Sequence, residues 1–208
     1  MYEFTDNAVR FLNRRFVRMF NTLKSITTND ELNTIKKVKS VYDEAEDISE
    51  RMFVQIANNT YEYITEYYFG QQKPVKRTKT NKTWVRKQLN AFDPVTGYVF
   101  YHEKDRKAAR TFEKIMSTTM IAQAVRKALK YWADMIKQYA DNITDNAALT
   151  VYEDYGVKKV RWVTENDDRV CEICRGRSGK IYDIKKVPVK PHWGCRCMLE
   201  PIIETEKE

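Results

Sequence analysis

At 208 residues with 42% hydrophobic content, the chain is long enough to bury a real core, which excludes disorder throughout. Its net charge of +8 is unevenly spread: residues 1–70 carry 9 basic and 11 acidic side chains, residues 71–140 carry 16 and 5, and residues 141–208 carry 12 and 13. The basic excess therefore lies entirely in the middle third, which points to a polyanionic partner there, nucleic acid before an acidic protein or membrane surface.

No stretch reaches the roughly 18 apolar residues needed to span a bilayer, so no membrane-embedded role is expected. The first residues include Glu3, Asp6 and then a run of arginines, without the apolar core of a signal peptide. A reducing compartment is expected, where clustered cysteines more often bind metal than form disulfides.

From Tyr2 to about Ile26, Phe4, Ala8, Phe11, Leu12, Phe16, Met19, Phe20 and Leu23 recur at steps of three and four, the pattern of one helix face. Arg10, Arg14 and Arg18 form a stripe on the other side, either a solvated face or a contact for phosphate or an acidic partner. Thr28 and Glu31 fit a capping box for a second helix. Leu32, Ile35, Val38, Tyr42, Ala45, Ile48, Met52, Ile56, Tyr63 and Tyr67 carry that helix toward Gly70, a residue suited to a left-handed C-cap. Forty residues at about 1.5 Å each would make a rod of roughly 60 Å, which needs a partner along it.

Residues 71–82, "QQKPVKRTKTNK", hold Lys73, Lys76, Arg77, Lys79 and Lys82 with no acidic residue and no apolar period. The segment reads as an exposed basic linker, with contact to the backbone of double-stranded DNA as the functional alternative. A short helix is expected over Trp84–Phe92, then a turn at Asp93-Pro94-Val95-Thr96-Gly97, with "YVFY" as a short strand or an apolar lead into the next helix. His102 follows this run, in a setting typical of a packed or surface histidine. A single long basic helix is expected next, on the spacing of Ala108, Phe112, Ile115, Thr119, Ala122, Val125, Leu129, Trp132, Ile136 and Tyr139.

The pattern changes after about Asn146. "VKKVRWVTEN" reads as a strand with Val160, Trp162 and Thr164 on one face. The fold expected is α+β: a helical hairpin or rod over 1–70, a basic linker over 71–82, a basic helical region over 83–148, and a small zinc-stabilised β-hairpin domain over 149–208.

All four cysteines fall in that last part. Cys171 and Cys174 form a CxxC, and His192, Cys195 and Cys197 follow in the pattern C-x2-C-x17-H-x2-C-x-C. Two close pairs joined by a loop, a hairpin over residues 175–190, are what a tetrahedral zinc ion requires, because each short pair supplies two ligands from one turn. Five candidates compete for four positions. Cys195 and Cys197, two apart on an extended strand, would point the same way, so either could complete the shell with Cys171, Cys174 and His192. Two disulfides, or a free thiol cluster in a small hydrophobic domain, are the alternatives to a metal.

The metal is expected to be structural, and no catalytic residue is assigned. The deaminase order of H-x-E before P-C-x-x-C is reversed here. No histidine lies between the cysteine pairs to serve a treble-clef nuclease, and the adjacent Asp167 and Asp168 suit a turn.

The combination of Gly156, Val157, Trp162, Thr164, Asp168, Arg169, Val170, Cys171, Cys174, Gly179, Tyr182, Pro191, His192, Cys195, Arg196 and Cys197 resembles the C-terminal domain of the minor head, or head morphogenesis, proteins of tailed bacteriophages, the Mu F-like group. The likeness covers about the last fifty residues. Where that family tends to have Pro-Asn after the histidine this chain has Trp193-Gly194, and glycine can adopt the left-handed turn that asparagine would. The resemblance implies a low-copy virion protein at the portal or inside the head. Its implied partners are the portal protein, other head proteins and double-stranded DNA, met in the host cytoplasm during assembly and then in the particle. The competing class is a free zinc-containing DNA-binding protein, which would need a base-reading helix joined to the zinc unit. A zinc-dependent nuclease is a third.

Overall fold

The computed structural model describes residues 2–165 and 167–203, with side chains from Thr5 onward. The position of Phe4 on the first helix face and the end of the C-terminal domain from residue 204 lie outside that range. The chain is α+β: five helices, α1 Tyr2–Asn21, α2 Glu31–Ile64, α3 Lys82–Leu89, α4 Phe100–Met116 and α5 Ile121–Asp154, precede a small antiparallel sheet. The strands are β1 Lys159–Val163, β2 Ile181–Asp183 and β3 Met198–Pro201, in the order β2-β1-β3, and a short helix α6, Glu172–Arg177, lies between β1 and β2.

The long helices find their partners within the chain. One cluster of buried side chains runs from Val9 to Ala147 and draws on α1, α2, α3, α4 and α5. Trp132 on α5 is its hub, fully buried and meeting Phe16 of α1 at 6.0 Å, Tyr42 of α2 at 5.4 Å and Phe100 of α4 at 6.2 Å between ring centroids. The buried Thr5–Thr144 hydroxyl pair and the Phe16–Trp132 contact make α1 antiparallel to α5. Tyr42–Trp132 and Tyr61–Asp154 make α2 parallel to α5. The partner that the α2 rod requires comes from the same chain, since α1, α4 and α5 cover most of its apolar face, but Leu32, Ile35 and Tyr67, expected on that face, are exposed. Phe11 is the exception on α1: expected on the apolar face, it is 74% exposed.

Local chemistry moved several boundaries. The N-cap of α2 is Asp30, whose carboxylate accepts from the Asn33 amide at 2.8 Å, while Thr28 sits in the preceding turn. Aspartate next to the first helical residue satisfies an orphan amide and suits the positive end of the dipole. At the other end the chain makes a wider turn over Thr65–Phe69, in which the Gly70 amide donates to the Thr65 carbonyl, and Gly70 ends it at φ 53° and ψ −116°, a positive φ that suits glycine but not the left-handed helical cap expected.

The short helix begins at Lys82, where the Asn81 side chain caps it by accepting from the Trp84 amide, and stops at Leu89, where the Asn90 side-chain amide donates to the Arg86 carbonyl. Lys82 therefore belongs to α3 rather than to the basic segment. The Asp93–Gly97 turn forms, with the Asp93 carboxylate accepting from the amides of Val95 and Thr96, and "YVFY" leads into α4. The single long basic helix is two helices. Ser117, Thr118 and Thr119 interrupt the period, the Ser117 hydroxyl donating to the Lys114 carbonyl and the Thr118 hydroxyl accepting from the Met120 amide. Consecutive hydroxyl side chains compete for backbone partners in this way and break a helix without glycine or proline.

Segment 71–81 is pinned rather than loose. The Asp154 backbone carbonyl accepts from the amides of Val75 and Lys76, and its buried carboxylate accepts from the Thr78 amide at 2.5 Å, the Thr78 hydroxyl at 2.8 Å and the Tyr61 hydroxyl at 2.7 Å. Helix α5 thus continues past Asn146 to the residue that holds this segment.

The sheet rests on the far ends of α2 and α5. Val160 and Ile184 join Tyr61, Ile64, Phe69, Val151 and Tyr152 in a second core, and the Tyr152 hydroxyl donates to the Leu199 carbonyl at 2.9 Å. β1 alternates as expected, with Val160 and Trp162 buried. The hairpin is β1 with β2, not one within residues 175–190, and β3 adds a third strand on the other side of β1.

Candidate metal centre

The long connection between β1 and β2 carries the CxxC. Cys171 caps α6, its sulfur accepting from the Cys174 amide at 3.3 Å, so the first turn of that helix presents both thiols together. The approach to β3 carries the second group. Gly194, at φ 66°, turns the chain between His192 and Cys195, a conformation that a side chain would strain. Cys195 and Cys197 are both buried. Between them Arg196 points away and its Nη2 meets both carboxylate oxygens of Asp167, at 2.6 and 2.8 Å.

All five predicted ligands converge. The ligand atoms of Cys171, Cys174 and His192 lie within 4.8 Å of one another, as do those of Cys174, Cys195 and Cys197, so Cys174 is common to both groups. All four cysteines are free thiols, and the Cys174–Cys195 sulfurs stand 3.5 Å apart, much longer than a disulfide bond of about 2.05 Å. With metal–sulfur bonds of about 2.3 Å, the edge of a tetrahedral site is about 3.8 Å. The Cys174–Cys195 spacing is compatible with two ligands of one ion.

His192 is arranged in the same sense. Its Nδ1 lies 2.8 Å from the Trp193 carbonyl, and its Nε2 is buried without a hydrogen-bond partner. An Nδ1–H donated to a backbone carbonyl leaves the Nε2 lone pair free, the usual orientation of a ligating imidazole. The Cys174 amide, with help from His192, brings the Cys171 thiol down to about 7, while burial and the neighbouring thiols push Cys174 up. A buried group of thiols that oppose one another's ionisation is what a bound cation would relieve. The five candidate ligands line one small pocket together with Glu165, Arg169, Val170, Gly194 and Arg196.

Residues 103–200 match the family described as phage Mu protein F like protein. The match contains α5, the sheet and every one of the five ligands, so the likeness carried by the last fifty residues extends back to the start of α4. It supports a phage head-related protein. No curated protein and no solved structure matches the chain.

The remaining predicted residues lie elsewhere. Lys73, Lys76, Arg77 and Lys79 are exposed on the pinned segment, with the Arg77 guanidinium 5.9 Å from the centre of the Tyr61 ring. Lys82 is engaged instead, 3.1 Å from the buried Glu50 carboxylate and 3.8 Å from Asp47. His102 is exposed on α4, away from the cysteines. Sequence reasoning missed the Asp167–Arg196 clamp, which ties the lead-in to the CxxC to the CxC and holds the Asp167 carboxyl down at about 2. The pair is separated by 29 positions, and no local pattern announces it. It also missed Trp193, whose indole N–H donates to the Val95 carbonyl at 3.2 Å and so fastens the metal-site loop to the turn before α4.

Proposed function

We propose that the chain is a structural component of a tailed-phage head, present in few copies and attached at or near the portal, in which one zinc ion clamps the C-terminal module onto a helical body. The observation that carries this reading is the coincidence of the Mu F-like match with a ligand cluster fixed to the helices by Trp193 and Tyr152. Thiolates and an imidazole at tetrahedral spacing favour zinc. Cys171, Cys174 and His192 would hold it together with one of Cys195 or Cys197. Among the described residues no general base stands beside the cluster in the pattern a hydrolytic zinc needs, so the ion's role is taken to be to cross-link the chain and no turnover is assigned.

Exposed Lys73, Lys76, Arg77 and Lys79 extend the reading to non-specific contact with double-stranded DNA during packaging or ejection; Lys82, neutralised by Glu50, adds little. The protein would assemble in the host cytoplasm and end in the virion, and no described helix is long and apolar enough to cross a membrane. The test is co-expression with the portal protein and quantitative mass spectrometry of purified particles, full and emptied. The chain should remain with the portal through size exclusion and be found in full particles. Recovery only outside particles, in cells that make complete virions, would overturn the proposal.

A further inference from the structure

The exposed side of α1 carries Arg10, Arg14, Arg15 and Arg18, and among the described residues none of the four pairs with a carboxylate. On other helices some exposed cations pair at i,i+4, as Lys39 does with Asp43, Arg51 with Asp47 and Lys130 with Asp134, while others among the described residues, such as Lys87, Arg110 and Arg126, do not; what sets α1 apart is the row of arginines at successive turns. Arg10, Arg14 and Arg18 follow one another four residues apart, about 6 Å along the axis, so each repels the next across one turn. A merely solvated face mixes its signs, whereas this one is self-repulsive over three arginines and would be relieved by a polyanion.

The choice of polyanion follows from what stands beside the charges. A partner helix would need apolar anchors at i, i+3, i+4 and i+7. The large apolar side chains exposed here are Phe11 and Val17. Six residues apart, they fall about 120° from each other around the helix, on opposite sides of the arginine stripe, so they form no seam. Guanidinium groups that present fixed forks without an apolar seam fit phosphate oxygens.

We propose that the exposed face of α1 is a nucleic-acid surface on which these four arginines take backbone phosphates. The surface lies outside the family match and is separate from segment 71–82 and from the metal centre, so it stands or falls independently of them.

The experiment measures the salt dependence of binding of the full chain to a random-sequence DNA duplex by fluorescence anisotropy. Three variants are compared with the parent: R10Q/R14Q/R18Q, R10K/R14K/R18K, and K73Q/K76Q/K79Q as a separate test of the basic segment. Removing three phosphate contacts should lower the slope of log affinity against log salt by about 3, one for each contact. The lysine variant should keep the parental slope. The side chains are exposed, so the melting temperature should not move; should the triple variant fail to fold, R14Q alone should lower the slope by about 1. An unchanged slope in the α1 glutamine variant overturns the inference, whatever the segment variant does. So does a parent chain that fails to bind duplex even at low salt, which would leave the arginines facing protein.

Discussion

Replacing Asp154 by alanine tests whether the basic segment is held or free. The carboxylate is 3% exposed and accepts three hydrogen bonds, from the Tyr61 hydroxyl and from the amide and hydroxyl of Thr78. Hydrogen bonds to a charged group contribute about 1.5–3 kcal/mol each, and a buried donor left without an acceptor costs about 1–3 kcal/mol. The three share one acceptor and are not additive, and the Thr78 hydroxyl can turn to water. About 3 kcal/mol is therefore the expected loss, most of it from the stranded Tyr61 hydroxyl and Thr78 amide. For a chain of this size that corresponds to a fall in Tm of roughly 6–12 °C.

The loss should also have a location. Segment 71–81 offers trypsin Lys76, Arg77 and Lys79, whose backbone the parent chain holds against α5 through Asp154. D154A should be cut there many times faster than the parent, under conditions where the helices stay intact. Thermal unfolding followed by fluorescence, with limited trypsinolysis read by mass spectrometry, measures both effects. A variant that melts within about 2 °C of the parent and is cut no faster would refute the claim that this carboxylate organises the segment.

Two further outcomes are expected. The Glu50 carboxylate, 2% exposed, accepts from Arg86, Lys82 and the Tyr101 hydroxyl; burial opposes its charge, but these partners outweigh burial and hold its pKa below the ordinary value. A folded value lower than the unfolded one gives stability that is present above about pH 4.3 and lost as the pH falls through the folded value, so the parent should lose stability in acid and E50Q should lose less of it, measured by urea unfolding from neutral pH down to acid. At the metal centre, C195S and C197S compete for the fourth position: one should release the metal and the other retain it, by elemental analysis, and release by both would mean that the two cysteines bind together and His192 is not a ligand.

Much of the fold was legible because it rests on period. The apolar steps of α1, α2 and α5 and the alternation of β1 are short-range signals that burial enforces, and the cysteine pattern needs no fold to be recognised. The parts that were not legible depend on contacts between distant residues. The period alone cannot say that Phe11 faces solvent, since that depends on where α2 and α5 lie against α1. The break at 117–120 lacks glycine and proline and depends on hydroxyl groups that a periodic reading passes over. The basic segment looked free because Asp154, which pins it, comes 76 positions after Thr78. At the site, spacing named the candidate ligands, but that Cys174 is common to both groups of three, and that Trp193 and Arg196 brace the loop, needed the three-dimensional arrangement.

The most direct measurement is the zinc content of the full chain purified under reducing conditions without chelator, beside C171S prepared in the same way. Structural zinc supplies about 10–16 kcal/mol of apparent free energy at neutral pH, which is ample to fix loops that hold only short strands. The parent should carry one zinc per chain. C171S should carry none and lose hydrogen-exchange protection around the β1–β2 connection and the approach to β3, while α1 and the parts of α2 and α5 that form the main helical core keep theirs. A parent chain without metal, with the same protection in both proteins, would contradict the account.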